Sequence, residues 1–131
     1  HEILYFTILA GTLQAILTPD IPEGFPHYSF LKYWIVHCGL VVYIIFITAA
    51  FSLYPTWNSI WRAFIFLQFY LLFALAINYL LGSNYLYVMR KPPRASLLDY
   101  MGPWPWYILA AEFIALILFA LVYLPIWILA T

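Results

Sequence analysis

Charge is absent from most of this chain. No Asp, Glu, Lys or Arg occurs between Lys32 and Arg62, between Arg62 and Arg90, from Ile3 to Pro19, or from Phe113 to Thr131. A helix that crosses a membrane needs about 20 mostly apolar residues. Turn formers divide the uncharged runs into four predicted helices. The first is Glu2–Leu17, ended by Thr18-Pro19-Asp20. The second is Ser29–Phe51, closed by Leu53-Tyr54-Pro55, and the third is Thr56–Leu81, closed by Gly82-Ser83-Asn84. The fourth is Pro105–Leu124, opened by a proline at its first turn, where a missing N–H does no harm. Ser29 and Thr56 read as N-caps. Residues 18–28, 52–55 and 82–104 are left as connections.

Composition strengthens this picture. The chain has 131 residues, the size of one domain, with 67% apolar and 8% charged residues. A soluble domain carries about 25% charged residues. With a mean hydropathy of +0.96, the chain could not hide its apolar surface from water. Five basic residues against five acidic ones leave no footprint for nucleic acid. A single cysteine, Cys38, excludes a disulfide scaffold. The fold class is therefore an all-α membrane protein with four transmembrane helices forming a single domain. The first helix is short for a full span and the chain opens with His1, so further sequence is expected upstream. No basic segment precedes the apolar stretch as a secretory signal would require. No low-complexity tract or internal repeat is visible, which weakens an inverted-repeat transporter.

Aromatic residues mark the borders. Tyr28, Tyr33, Trp34, Tyr85, Tyr87, Trp104, Trp106 and Tyr107 fall toward one membrane face, and Tyr54, Trp57, Trp61, Tyr123 and Trp127 toward the other. The first face receives both long connections and four of the five basic residues, Lys32, Arg90, Lys91 and Arg94. The positive-inside rule makes it cytoplasmic, so 18–28 and 82–104 are expected in the cytoplasm. The basic residues there serve topology and contact with anionic lipid.

Polar groups inside the spans carry the functional question, because each is costly in hydrocarbon. They are Gln14, His37, Gln68, Asn78 and Glu112. At about 1.5 Å of rise per residue, Gln14 and Asn78 lie roughly 6 Å inside their helix ends, and His37 and Glu112 roughly 10 Å. Gln68 falls nearer mid-membrane. Helical spacing puts Thr7, Gly11, Gln14 and Thr18 on one face, Tyr33, His37, Ile44 and Thr48 on another, and Gln68, Leu71, Leu75, Asn78 and Gly82 on a third. Glu112 neighbours Ala111 and Ala115, a small-residue pair that lets helices approach closely. Polar stripes of this kind are expected to face inward.

A histidine base, a carboxylate to orient it and amide donors for an oxyanion are the parts needed for acyl chemistry. His37, Glu112, Asn78 and Gln14 supply them. The plain alternative is a hydrogen-bond network that only holds helices together. Cys38 follows His37 directly and points about 100° away, so the two do not form a dyad. One embedded histidine argues against bis-histidine haem and a multi-histidine iron site. No Gly-rich phosphate loop is present. No metal or other cofactor is expected.

Several blocks carry a resemblance. They are Gly11-Thr12-Leu13-Gln14-Ala15-Ile16-Leu17-Thr18-Pro19-Asp20, Gly24-Phe25-Pro26-His27-Tyr28, and Asn78-Tyr79-Leu80-Leu81-Gly82-Ser83-Asn84-Tyr85. Lys91-Pro92, Ser96-Leu97-Leu98-Asp99 and Gly102-Pro103-Trp104-Pro105-Trp106-Tyr107 follow in order. The series resembles the bacterial YwaF-like integral membrane proteins, relatives of eukaryotic transmembrane protein 164 and, more remotely, of the androgen-induced membrane hydrolases. The resemblance implies a bundle of about six helices in a bacterial plasma membrane, of which this chain would be the C-terminal four. It also implies acyl transfer or ester hydrolysis on lipids, with a Cys or Thr nucleophile and a His in the eukaryotic branch. If the nucleophile lies upstream, this chain alone is not catalytically complete.

Three functions follow as expectations. The leading one is a lipid acyltransferase or ester hydrolase. His37 is its base or acid, Glu112 orients it, and Asn78 and Gln14 donate hydrogen bonds. Asp20, His27, Asn84 and Asp99 line the cavity mouth, and Arg90, Lys91 and Arg94 hold the lipid phosphate. The second is an accessory subunit packed against other transmembrane subunits or the missing N-terminal helices. The third is a small-solute or proton carrier using His37 and Glu112.

Overall fold

The computed structural model describes residues 1–93 and 95–130. Among them every regular element is helical. Helix α1 covers Glu2–Leu17 and includes a π segment at Thr7–Thr12. Helix α2 is Tyr28–Ala50, α3 is Trp57–Leu81 and α4 is Trp106–Ala130. Two short 3-10 turns, Tyr85–Tyr87 and Leu97–Met101, lie in the connection between α3 and α4. Helices α2, α3 and α4 are long and apolar enough to cross a membrane, so the chain is a multi-pass integral membrane protein. Helix α1 is shorter, about 24 Å by its rise against about 30 Å of hydrocarbon. Four transmembrane helices were expected, the first of them short for a full span; among the described residues three helices meet the length for one.

Local chemistry explains most helix ends. Helix α2 starts one residue before the expected Ser29, because His27 takes the cap and its Nδ1 accepts from the Ser29 N–H at 3.2 Å. At the start of α3 the Thr56 N–H donates to Ser59 Oγ at 2.9 Å and the Ser59 N–H donates to the Thr56 carbonyl. Helix α3 ends in a Schellman turn: Gly82 has φ +62°, and the Ser83 N–H reaches back to the Asn78 carbonyl. Helix α2 ends the same way, with the Leu53 N–H on the Thr48 carbonyl, but Ser52 stands at the left-handed position with φ +53°. A side chain there is strained where glycine is not. Ser52→Gly is expected to stabilise the protein by about 1 kcal/mol, read as a raised thermal midpoint in detergent; an unchanged midpoint would show the turn to be relaxed already.

Two features depart from simple helical counting. Helix α4 was expected to stop at Leu124, yet it runs through Pro125. Spanning helices accept proline when neighbours satisfy the backbone around it. Pro125 removes the N–H that would meet the Leu121 carbonyl, and at the next residue the Tyr5 hydroxyl of α1 donates to the Val122 carbonyl at 2.9 Å. In α1 the π segment lies between Thr7 and Gln14. Its bonds skip five residues instead of four, so each residue advances less around the axis. The expected single face of Thr7, Gly11, Gln14 and Thr18 therefore does not hold as counted.

The chain divides into two compact units. One contains His1–Ala63 and the chain from Phe119 onward. Its core joins Phe6 of α1, Ile44 of α2, Ile60 and Ala63 of α3 and Phe119 of α4, with the Phe6 and Phe119 rings 5.3 Å apart. Polar contacts lace the same unit. The Thr48 hydroxyl donates to the Ile44 carbonyl and lies 3.1 Å from His1 Nε2, while Arg62 pairs with Glu2 at 3.1 Å. The other unit is Phe64–Leu118, and its buried residues include Ala74, Asn78, Val88 and Tyr107.

Candidate functional site

In the first unit a side-chain hydrogen bond ties α2 to α1. The Tyr33 hydroxyl donates to the Ala15 carbonyl, so the residue beside Gln14 is fixed to the residue one turn before His37. The Tyr33 and His37 rings stack with centroids 4.0 Å apart. His37 Nδ1 lies 2.7 Å from the Tyr33 carbonyl oxygen. A carbonyl can only accept, so Nδ1 must carry the proton. The neutral ring then keeps its lone pair on Nε2, and the tautomer is set by the backbone of its own helix. His37 is half-buried.

Other predicted residues of this unit have local duties. His27 caps α2. Asp20 is exposed. Cys38 is exposed on the turn that carries His37. Pro19, Ile21, Pro22, Glu23, Gly24, Phe30 and Trp34 line an open cleft of about 400 Å³.

In the second unit the Gln68 side-chain amide donates to a Glu112 carboxylate oxygen, and α3 and α4 meet there. A small cavity of about 60 Å³ adjoins Glu112, walled by Leu71, Tyr87, Val88, Tyr107 and Ala111. Helix α3 offers Gln68 one further acceptor, the Phe64 carbonyl at 3.5 Å. Glu112→Leu would leave the amide with that long contact alone, whereas Glu112→Gln keeps an acceptor. Double-mutant analysis with Gln68→Leu is expected to give a coupling of about 1 kcal/mol; complete additivity would mean the pair contributes nothing to stability.

Asn78 is 1% exposed and its amide makes three hydrogen bonds. Its Oδ1 accepts from the Ser83 hydroxyl at 2.8 Å and the Tyr85 N–H at 2.7 Å, and its Nδ2 donates to the Tyr85 carbonyl at 2.9 Å. Asn84 repeats the device one step on. Its Oδ1 accepts from the N–H groups of Met89 and Arg90, and its Nδ2 donates to the Arg90 carbonyl. Between them Leu86 and Tyr87 sit at φ +58° and +54°. Such strain persists where surrounding bonds over-determine it. The Tyr107 hydroxyl on the Tyr87 carbonyl and the Trp104 indole on the Val88 carbonyl complete that set. Asp99 Oδ2 accepts from the Ser96 N–H at the second 3-10 turn.

The Lys91 ammonium lies 5.6 Å from the centre of the Tyr107 ring, and Arg90 is exposed. Arg94 lies outside the described residues. Among the described residues no group of three or more His, Cys, Asp or Glu is placed to hold a metal ion.

Gln14 and His37 thus belong to one unit, and Asn78 and Glu112 to the other. Glu112 was expected to orient His37. At His37 Nδ1 the orienting acceptor is the Tyr33 carbonyl, and at Glu112 the hydrogen-bonded partner is Gln68. Sequence reading did not find the Tyr33–Ala15 tether. A tyrosine four residues before an embedded histidine is its only trace. A family model described as the TMEM164 family matches residues 1–123. Neither the curated proteins nor the solved structures give a match.

Proposed function

We propose that this chain, which belongs to the TMEM164 family, forms the histidine-bearing part of a membrane-embedded lipid acyltransferase or ester hydrolase. The observation that carries the reading is the orientation of His37, with Nδ1 committed to the Tyr33 carbonyl and Nε2 left as the basic atom. Nε2 takes the proton of an attacking hydroxyl as its oxygen adds to a lipid ester carbonyl. The tetrahedral intermediate then breaks the ester C–O bond, and the imidazolium returns the proton to the leaving alkoxide. The Gln14 amide, one residue from the tether, supplies a hydrogen bond to the developing oxyanion.

Glu112 and Asn78 support the reaction through the architecture of the second unit. Asp20, His27, Asn84 and Asp99 shape the connections at the lipid surface. Arg90, Lys91 and Arg94 meet lipid phosphate from a cytoplasmic face of a bacterial plasma membrane, which places 18–28 and 82–104 in the cytoplasm. Full-length protein in nanodiscs containing phospholipid labelled in its acyl chains tests this. Labelled fatty acid or a labelled acyl-transfer product is expected. Lipid left intact in the presence of water and of lysolipid acceptors would overturn the reading.

A further inference from the structure

The end of α1 leaves one backbone carbonyl in need of a donor. In an α-helix the Ala15 carbonyl would accept from the N–H of residue 19. That residue is Pro19, which has none. Thr18, the residue before the proline, has already left helical geometry at φ −129° and ψ +67°. Its N–H and its hydroxyl both donate to the Gln14 carbonyl, at 3.0 and 2.9 Å, so both are spent one residue earlier. A carbonyl without a donor is costly where water is scarce. The donor comes from α2, whose Tyr33 hydroxyl reaches the Ala15 oxygen at 2.5 Å.

We infer that Tyr33 is a positioning residue for His37, its ring pinned to α1 through the carbonyl that Pro19 frees. The inference rests on the proposed acyl chemistry and adds to it the residue that aims the base. By itself the 2.7 Å contact from Nδ1 to the Tyr33 carbonyl would let the imidazole swing. The Tyr33 ring, stacked on it with centroids 4.0 Å apart and planes 28° apart, restrains that motion. A stacked ring is only as steady as its own anchor. Here the anchor is the hydroxyl that ties Tyr33 to the helix carrying Gln14. Nε2 is the atom that must meet the attacking hydroxyl, and an error of about 1 Å at such an atom costs about 10²-fold in rate. The end of α1 and the first turns of α2 therefore work together. Pro19 exposes an acceptor, Tyr33 takes it, and His37 is aimed.

The test sets stability against rate. Full-length wild type, Tyr33→Phe and the double variant Tyr33→Phe/Pro19→Ala are compared. The thermal midpoint is read in detergent, and kcat and KM in nanodiscs of labelled phospholipid. Tyr33→Phe keeps a ring for the stack and the backbone carbonyl, and loses the tether. Its midpoint is expected to fall. Its kcat is expected to fall about ten- to a hundredfold at near-constant KM, since aiming acts on the transition state and not on lipid binding. Adding Pro19→Ala gives the Ala15 carbonyl an N–H from its own helix. The midpoint is then expected to recover while kcat stays low. A tyrosine that only holds two helices together predicts that both recover.

Recovery of kcat together with the midpoint, or a Tyr33→Phe protein with the wild-type kcat, overturns the inference. A wild type that turns over no lipid removes the acyl chemistry, and the aiming is then read by NMR. In protein with ¹⁵N-labelled imidazoles, the His37 ring resonances are assigned by their loss in His37→Ala. They are expected to be sharp in the wild type and to shift or broaden in the double variant, which also serves if Tyr33→Phe alone fails to fold. His37 resonances in the double variant that match the wild type overturn the assignment.

Discussion

Asn78→Leu is expected to destabilise the protein by about 3 kcal/mol, with a lower thermal midpoint and rapid proteolysis within residues 82–93. Leucine nearly matches asparagine in size, so packing is not the reason. The loss comes from three hydrogen bonds made by a side chain that is 1% exposed. Removing the amide strips the acceptor from the Ser83 hydroxyl and the Tyr85 N–H and the donor from the Tyr85 carbonyl. Each neutral bond contributes about 1 kcal/mol, and buried groups left unpaired raise the penalty. The strained pair Leu86 and Tyr87 would also lose one of its anchors. Asn78→Asp separates the contributions, since it retains both acceptor bonds and loses only the donor. It is expected to sit between wild type and Asn78→Leu. An Asn78→Leu protein within about 0.5 kcal/mol of wild type would show that the connection holds itself.

His37→Ala is expected to lower lipid turnover by about 10²- to 10⁴-fold, the usual range for a general base, while the protein stays folded. The two readouts separate because of how His37 is held. Its hydrogen bond goes to the backbone of its own helix, so no other element depends on it. The stack on Tyr33 is a packing contribution at risk, worth about 1 kcal/mol. The loss should appear in kcat, because proton transfer belongs to the transition state and not to lipid binding. Turnover at the wild-type rate would remove His37 from the chemistry.

The long apolar runs made the membrane class and the positions of α2 and α3 legible from sequence. Uncharged length is a coarse property, and burial in hydrocarbon leaves few other solutions. What local rules missed came from contacts between elements. Pro125 reads as a stop until Tyr5 is known to approach the backbone at Val122. Ser29 reads as a cap until His27 is seen to take that place.

The site was harder for the same reason. Counting depth from each helix's own end assumes that all ends lie in one plane. That count paired Glu112 with residues near the ends of other helices and set Gln68 apart as deeper. Gln68 is nevertheless the residue that bonds Glu112. Asn78 was flagged correctly as costly in hydrocarbon, but its amide holds backbone, a duty that polarity alone does not reveal. His37 was readable as a titratable side chain placed within a span. The atom that fixes its tautomer was not, because every residue carries a carbonyl and sequence does not say which one a ring will meet.

The wide turn at Thr7–Thr12 makes α1 sensitive to length in an unusual way. A π segment amounts to an α-helix that has absorbed one extra residue without breaking. Removing a residue there would let the helix close into uniform α pitch and swing everything before it by about 100° relative to Gln14. Phe6, now packed on Phe119, and Glu2, now paired with Arg62, would face new surroundings together. The azimuth of the first helix is thus governed by residue count, and substitutions that respect the count have little leverage on it.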